Sequence, residues 1–82
     1  MPFTVYILQS ETTSRYYVGH TKNFEQRFSE HNSGKSLSTR QGIPWCIVHL
    51  ESFPTHSLAI QRETKIKQRG IARYLQDISA NG

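Results

Sequence analysis

The chain of 82 residues is long enough for one small domain with a single core, and it leaves no room for a second domain or for two separate sites. Ten Lys and Arg residues against six Asp and Glu give a net charge of +4, which favours a polyanionic partner without proving one. One cysteine excludes a disulfide framework and a cysteine-based metal site, and we find neither a basic leader nor a long apolar run. We expect a single domain over residues 1–82, in the reducing cytoplasm and with no membrane contact.

The first part of the chain predicts two strands joined by a polar loop. Residues 3–9 are β-branched and aromatic, with apolar side chains on both faces, which indicates a strand, β1, that is covered on both sides. Residues 16–20 predict a second strand, β2, after the polar residues 10–15. If the two strands pair antiparallel with an odd sum of paired residue numbers, Tyr6 and Tyr17 lie on the same face, whereas a slip of one residue separates them.

A short helix, α1, is predicted over residues 24–32. Asn23 is placed to cap its first turn, and Gly34 is placed to end it. Arg27 and His31 are four residues apart, and we expect them side by side on the rim of the apolar stripe of the helix. Such a pair can hold a phosphate, but an ordinary solvated Arg and His would have the same spacing.

A loop and a third strand follow. Residues 33–44 contain two glycines, a proline, the cations Lys35 and Arg40 and no acid, which is typical of a loop. Its polar side chains suit contacts with backbone phosphates, and a plain solvated loop is the equal alternative. Residues 45–53 predict a strand, β3, that is stopped by Pro54.

Two helices complete the predicted fold. The first, α2, is capped by Thr55 or Ser57 and runs to about Arg69, and Gly70 separates it from a short last helix, α3. The predicted order is therefore β-β-α-β-α-α. This order indicates an α+β domain, with a small three-stranded, antiparallel-containing sheet flanked by helices.

One carboxylate conflicts with the apolar pattern of α2. Helical spacing puts Glu63 in the middle of the face formed by Ala59, Ile60 and Ile66. A carboxylate facing a core must be paired, protonated or bound to a metal, because an unpaired buried charge is costly. A salt bridge to Arg27 or to a neighbouring lysine at the edge of the stripe is the equal alternative.

Together these residues resemble the GIY-YIG nuclease domain, and closely its small stand-alone bacterial form. The first signature is present as Thr4-Val5-Tyr6 and the second as Tyr17-Val18-Gly19. Arg27, His31 and Glu63 follow in the family's order and spacing, and the likeness covers nearly the whole chain.

Three departures accompany this resemblance. Thr4 stands where the first signature has glycine, and His20 stands where some members carry a lysine that helps to position the tyrosine or the water. The amide residue that some larger members contribute late in the domain has no counterpart. The last two departures concern rate and preferred substrate more than the class of reaction.

The resemblance implies an endonuclease that hydrolyses phosphodiester bonds with water in one step, assisted by one Mg²⁺ or Mn²⁺ ion. Glu63 is the implied metal ligand, and the planar guanidinium of Arg27 suits the charge that develops on the phosphate. Tyr6 or Tyr17 would activate or orient the water, and the residues do not choose between them. His31 would orient a tyrosine or relay its proton.

The implied partner is DNA, with RNA not excluded, in repair or processing. The cations expected to contact the nucleic acid are Lys22, Lys35, Arg40, Arg62, Lys65, Lys67 and Arg69. The alternative function is a non-catalytic nucleic-acid-binding module of the same fold, recruited by a partner. A partner protein could also supply specificity, because phosphate contacts alone do not read sequence.

Overall fold

A computed structural model describes residues 2–81 and confirms the predicted α+β architecture. The predicted domain of residues 1–82 extends one residue beyond this range at each end. The elements are β1 (Phe3–Ser10), β2 (Tyr16–Thr21), α1 (Phe24–Ser33), a 3₁₀ turn (Arg40–Gly42), β3 (Trp45–Phe53), α2 (His56–Arg69) and α3 (Ile71–Asn81).

The three strands form one antiparallel sheet in the order β2-β1-β3. Tyr6 pairs with Gly19 and Leu8 pairs with Tyr17. The numbers of paired residues therefore add up to an odd value, 25. Tyr6 and Tyr17 therefore lie on the same face of the sheet.

Both faces of the central strand are covered, as its apolar pattern predicted. On one face Val5 and Ile7 pack against α2 and α3, through Ala59, Ile66 and Tyr74. On the other face α1 covers a second cluster, whose members are Tyr6, Leu8 and Trp45 with Tyr17, Phe24, Phe28 and Ile43. Because β1 is packed on both faces, it fixes the position of Tyr6.

Capping fixes where the helices begin and end. The Asn23 side chain accepts a hydrogen bond from the Gln26 amide at 3.2 Å, and Gly34 ends α1 in the left-handed region at a φ of 86°. The Thr55 hydroxyl accepts from the Leu58 amide at 3.2 Å, so the cap of α2 is Thr55 and not Ser57.

The face of α2 that meets the sheet is narrower than the sequence predicted. Ala59 and Ile66 are fully buried, but Ile60 is 42% exposed, so its placement in the core was wrong. Ile60 lies roughly a third of a turn from the line of contact through Ala59 and Ile66, on the side of Glu63. Within residues 2–81 no helix has the length and apolar character needed to cross a membrane.

Candidate active site

A cleft of about 400 Å³ runs along β2, and residues of α1 and α2 also line it. Four of the five predicted catalytic residues line it, and each comes from a different element: Tyr6 from β1, Tyr17 from β2, Arg27 from α1 and Glu63 from α2. The sheet register and the packing of both helices are thus needed to bring these four side chains together.

His31 does not lie on the rim, and that prediction was wrong. Its side chain is fully buried under Tyr6, whose hydroxyl is 2.9 Å from His31 Nε2. His31 follows Phe24 by seven residues, almost two full turns, so it lies next to Phe24 on the same face of the helix. Burial and the nearby charge of Arg27 lower the pKa of His31 and favour the neutral ring.

The Tyr6 hydroxyl is enclosed and keeps its proton. Burial is the main cause that raises its pKa to about 12, and Tyr17 adds to this effect, while Arg27 acts in the opposite direction. The Tyr17 ring lies 6.2 Å from that of Tyr6 and 5.0 Å from that of His31, and it is less buried. The two tyrosines therefore differ mainly in access to the cleft.

Arg27 occupies the rim of α1, where it was predicted. Its Nη1 donates to Glu30 Oε1 at 3.0 Å, and its Nη2 donates to Ser36 Oγ at 3.4 Å. The bond to Glu30 is the main cause that raises the pKa of Arg27, and the contact with Tyr6 adds to it. Both partners of the ion pair are about one third exposed, so the pair is weak enough to open for an anionic ligand.

Both oxygens of Glu63 have partners inside the protein. His20 Nδ1 lies 2.7 Å from Oε1, and Lys67 Nζ donates to Oε2 at 2.8 Å, while the Glu63 side chain is 16% exposed. Burial opposes ionisation, but the bonds from Lys67 and His20 outweigh it, so the pKa of Glu63 is lowered. Of the salt bridges considered from the sequence, the neighbouring lysine is observed and Arg27 is not.

The donor set of the cleft fits Mg²⁺ through a single carboxylate. Glu63 is the only acidic side chain among the described residues that line the cleft, and no group of three or more His, Cys, Asp or Glu within residues 2–81 could enclose an ion. Mg²⁺ commonly takes one or two carboxylates and completes its shell with waters and substrate phosphates, so one carboxylate suffices. Lys67 is 59% exposed and free to release Oε2.

The predicted cations divide into two groups. Lys67 lines the cleft, and Lys35 and Arg40 lie in the loop that contacts Arg27 through Ser36. Lys35 and Arg40 form no ion pair within the described residues, and Arg40 Nε donates to the Gly34 carbonyl at 3.1 Å.

The other predicted cations have different surroundings. Arg62 donates to Glu51 at 2.8 Å and to the Tyr74 hydroxyl at 2.7 Å, and Arg69 pairs with Asp77. Lys65 and Arg69 line a hollow between α2 and α3, and Lys22 lies over the Phe3 ring at 5.5 Å. None of these four cations lines the cleft of about 400 Å³. The cations of α2 therefore do not form one continuous basic surface.

Sequence reasoning missed Thr39 and the role of His20. Thr39 is 2% exposed, and its hydroxyl is 2.7 Å from His31 Nδ1, so His31 is held from both ring nitrogens. Nothing in the polar loop sequence distinguished Thr39 from its neighbours. The sequence showed His20 only as a departure from the family pattern. In the structure it faces the Glu63 carboxylate across the sheet edge and is hydrogen-bonded to it.

A second cleft of about 540 Å³ adjoins the first. Tyr16 and Tyr17 line both clefts, and the polar residues Ser38, Thr39 and Gln41 form the far side of the second one. The two clefts together make one extended depression, with Tyr16 and Tyr17 between them.

The model of the GIY-YIG catalytic domain matches residues 2–74. The chain belongs to the GIY-YIG family. It is 40% identical over 79 residues to a UPF0213 protein of Syntrophus aciditrophicus, covering 94% of this chain and 90% of the relative. A UPF0213 protein of Halobacterium salinarum is 38% identical over 65 residues, covering 78% and 83%.

A solved structure agrees with this assignment. The solution NMR structure of a UPF0213 protein from Bacillus halodurans matches with a TM-score of 0.61 and 30% identity, covering all of this chain and 87% of that one. The GIY-YIG family is generally a nuclease family, so the fold described here is of nuclease type.

Proposed function

We propose that this GIY-YIG protein is a metal-dependent DNA endonuclease that hydrolyses phosphodiester bonds. The observation that carries the proposal is the meeting of Tyr6, Tyr17, Arg27 and Glu63 in one cleft. A cleft with a cation, a carboxylate and two hydroxyls suits a phosphate group, a metal ion and a water molecule.

Arg27 is proposed to bind the non-bridging oxygens of the scissile phosphate. Its guanidinium lies at the cleft and is only partly engaged by Glu30 and Ser36. A planar fork matches two phosphate oxygens, and it stabilises charge that grows as the bond breaks.

A tyrosine is proposed to orient the attacking water. Tyr6 holds its proton in the free protein, so its hydroxyl acts there as a hydrogen-bonding group and not as a base. His31, itself fixed by Thr39, holds that hydroxyl in place. Tyr17, the more accessible of the two, remains the second candidate for accepting the proton of the water.

Glu63 is proposed to hold the divalent ion, Mg²⁺ or Mn²⁺. When bound, such an ion stabilises the leaving oxygen and neutralises phosphate charge as a Lewis acid. The lowered pKa of Glu63 keeps the carboxylate ionised and ready to bind a cation. His20 orients one oxygen, and Lys67 covers the other until it is displaced.

The nucleic acid is proposed to run along both clefts. Lys67 lies in the first cleft, and Lys35 and Arg40 belong to the loop beside Arg27, so these three cations are the best placed for phosphate contacts. Two adjoining clefts form an extended groove, and such a groove suits a polymer. We propose that the protein acts in the cytoplasm in DNA repair or processing, where a partner protein could supply specificity.

One observation favours a second function, a non-catalytic nucleic-acid-binding module. Both oxygens of Glu63 are already bonded, by His20 and Lys67, as they would be in a purely structural salt bridge. In that function Arg27 and the loop cations would bind phosphates, and no bond would be cut.

The deciding experiment is a cleavage assay of the purified protein on labelled duplex, single-stranded and branched DNA. The endonuclease proposal expects products with Mg²⁺ or Mn²⁺, none in chelator, and none with Glu63→Ala. Salt-sensitive binding without products on any substrate would favour the binding module. Cleavage that survives in chelator would contradict the metal-dependent mechanism.

A further inference from the structure

Two histidine rings meet at the rim of the cleft. His20 lies near the end of β2, and His56 is the first residue of α2. Their Nε2 atoms are 3.0 Å apart, and their ring centroids are 5.0 Å apart. Neither the family signatures nor the proposed mechanism uses this pair.

Each histidine ring also contacts a second residue. His20 Nδ1 is 2.7 Å from Glu63 Oε1, and an ionised carboxylate can only accept a hydrogen bond, so Nδ1 carries the hydrogen. In neutral His20 the lone pair is then on Nε2, which faces His56. The His56 ring stacks on Phe3, with centroids 4.9 Å apart and an interplanar angle of 22°.

We propose that His20 and His56 form a two-histidine site for a borderline transition-metal ion such as Zn²⁺, Ni²⁺ or Cu²⁺. Two nitrogens that are each about 2.0–2.1 Å from one metal lie about 3.0 Å apart when adjacent at a right angle, and about 3.4 Å apart in a tetrahedron. The observed 3.0 Å therefore matches neighbouring ligands of a single ion.

Glu63 completes the arrangement from behind His20. A metal-bound histidine usually donates its other ring N–H to a carboxylate or carbonyl, which fixes the tautomer and makes the ring a better ligand. The bond from His20 Nδ1 to Glu63 is of this kind. Glu63 thus supports the transition metal only through His20, whereas a hard ion such as Mg²⁺ would take the carboxylate oxygen directly.

The site selects its metal by ligand type. Imidazole suits Zn²⁺, Cu²⁺ and Ni²⁺, while Mg²⁺ prefers oxygen ligands. Within residues 2–81 no third His, Cys, Asp or Glu completes a cage, so water supplies the remaining ligands and the ion exchanges readily. Cu²⁺ should bind more tightly than Ni²⁺ or Zn²⁺, following the general order for nitrogen sites.

The test is calorimetric titration of Cu²⁺, Ni²⁺ and Zn²⁺ into the full chain, with the histidine ring signals followed by NMR. We expect one ion per chain, with the His20 and His56 signals shifting together with Zn²⁺ and broadening together with the paramagnetic Cu²⁺ and Ni²⁺. His56→Ala should weaken binding at least about tenfold, and Glu63→Gln should weaken it about tenfold through loss of the supporting carboxylate.

His49→Ala is the matched control. His49 is bonded to Glu51 at 2.9 Å, and this variant should bind the metals as the wild type does. Circular dichroism checks that each variant is folded, and because His56 is exposed its truncation should leave the core intact. Mg²⁺ should leave the His56 ring signal in place, because His56 does not contact Glu63.

Three results would overturn the site. They are equal affinity in wild type and His56→Ala, half an ion per chain (which would mean a bridge between two copies), and ring signals that do not respond to any of the three metals. In the last case the two rings share only a hydrogen bond. None of these results depends on whether the protein cleaves DNA.

Discussion

The hydroxyl of Tyr6 lies over Gly19, in the space that a side chain at that position would fill. A Cβ atom on Gly19 would be 2.6 Å from Tyr6 Oη and 3.2 Å from Tyr17 Cε2. The two residues pair across β1 and β2, and each belongs to a different tyrosine signature. The glycine of the second signature is therefore needed to admit the tyrosine of the first.

Gly19→Ala should displace the Tyr6 ring. Overpacking of this kind typically costs about 1–3 kcal/mol of stability, and Tyr6 would lose its alignment with His31 and Arg27. We expect a lower unfolding midpoint in urea and a cleavage rate reduced by about 10²-fold or more.

The double variant Gly19→Ala with Tyr6→Phe supplies the control. Removing the hydroxyl removes the closest clash, so part of the stability lost in Gly19→Ala should return, while cleavage stays low. If the double variant loses as much stability as the two single variants together, the steric explanation is contradicted.

Arg27→Ala should slow cleavage and leave the fold intact, because Arg27 lies on the rim of α1 and not in its apolar stripe. Losing a contact made to transition-state oxygens should cost on the order of 3–4 kcal/mol in the barrier, measured by single-turnover kinetics. Arg27→Lys should rescue poorly, since a point charge cannot replace the fork. Arg73→Ala, at an exposed position on α3, is the matched control, and near-wild-type rates in Arg27→Lys would remove the fork assignment.

Local rules predicted the fold well because each acts over a few residues. Alternation along β1 predicted cover on both faces, and Asn23 and Gly34 bounded the first helix as expected. These features depend on backbone geometry near the residue itself. The convergence of Tyr6 and Tyr17 was predictable only up to the choice of register, which the partner strand decides.

The partners of the polar side chains could not be predicted in the same way. Thr39 meets His31 because the loop after α1 folds back over the helix, and Arg62 meets Glu51 because α2 crosses β3. Both contacts depend on how elements distant in sequence pack, and spacing along one element carries no information about them. His20 and Glu63 are a third example, 43 positions apart in the sequence.

The buried His31 should make stability depend on pH. Its pKa in the folded protein lies below the ordinary value of 6.5, so as the pH falls below about 6.5 the unfolded chain binds a proton that the folded chain refuses. The free energy of unfolding is therefore unaffected by this group above that pH. It falls with decreasing pH until the folded-state pKa is passed.

Urea unfolding at a series of pH values checks this expectation. His31→Gln keeps a side chain that can hydrogen-bond to Tyr6 and Thr39 but cannot titrate, so its curve should be flatter from about pH 6.5 downward. The other three histidines are common to both proteins and cancel in the comparison. Parallel curves would mean that the folded and unfolded chains bind the His31 proton equally, which would contradict the lowered pKa.

The path of the nucleic acid can be tested by salt dependence. Alanine at Lys35 and Arg40 should lower the slope of log K against log salt on duplex DNA by up to about 0.9 per lost contact, and equally on unrelated sequences. Alanine at Lys65 and Arg69 should have a smaller effect, because both residues line the hollow between α2 and α3 and Arg69 is paired with Asp77. A larger change from the second pair would move the DNA path onto that side of the protein.

Glu63→Gln tests the metal ligand directly. Gln keeps the shape but removes the charged oxygen that Mg²⁺ prefers, so metal-dependent cleavage should collapse while DNA binding persists. If Glu63 were unpaired, Gln would leave stability unchanged or raise it, because an unpaired carboxylate on an apolar face is costly. Since His20 and Lys67 both bond to Glu63, we now expect a loss of about 1 kcal/mol.

Glu51→Gln separates the loss of stability from the loss of metal-dependent cleavage. Glu51 is a similarly enclosed carboxylate, 19% exposed and paired with Arg62 and His49, but it does not line the cleft. It should lose comparable stability and keep its cleavage rate. Titrating Mg²⁺ or Mn²⁺ into each variant, with cleavage and NMR shifts near residue 63 as readouts, completes the comparison. If Glu63→Gln cleaves as well as Glu51→Gln at every metal concentration, Glu63 is a structural ion-pair partner and the metal is held by other groups.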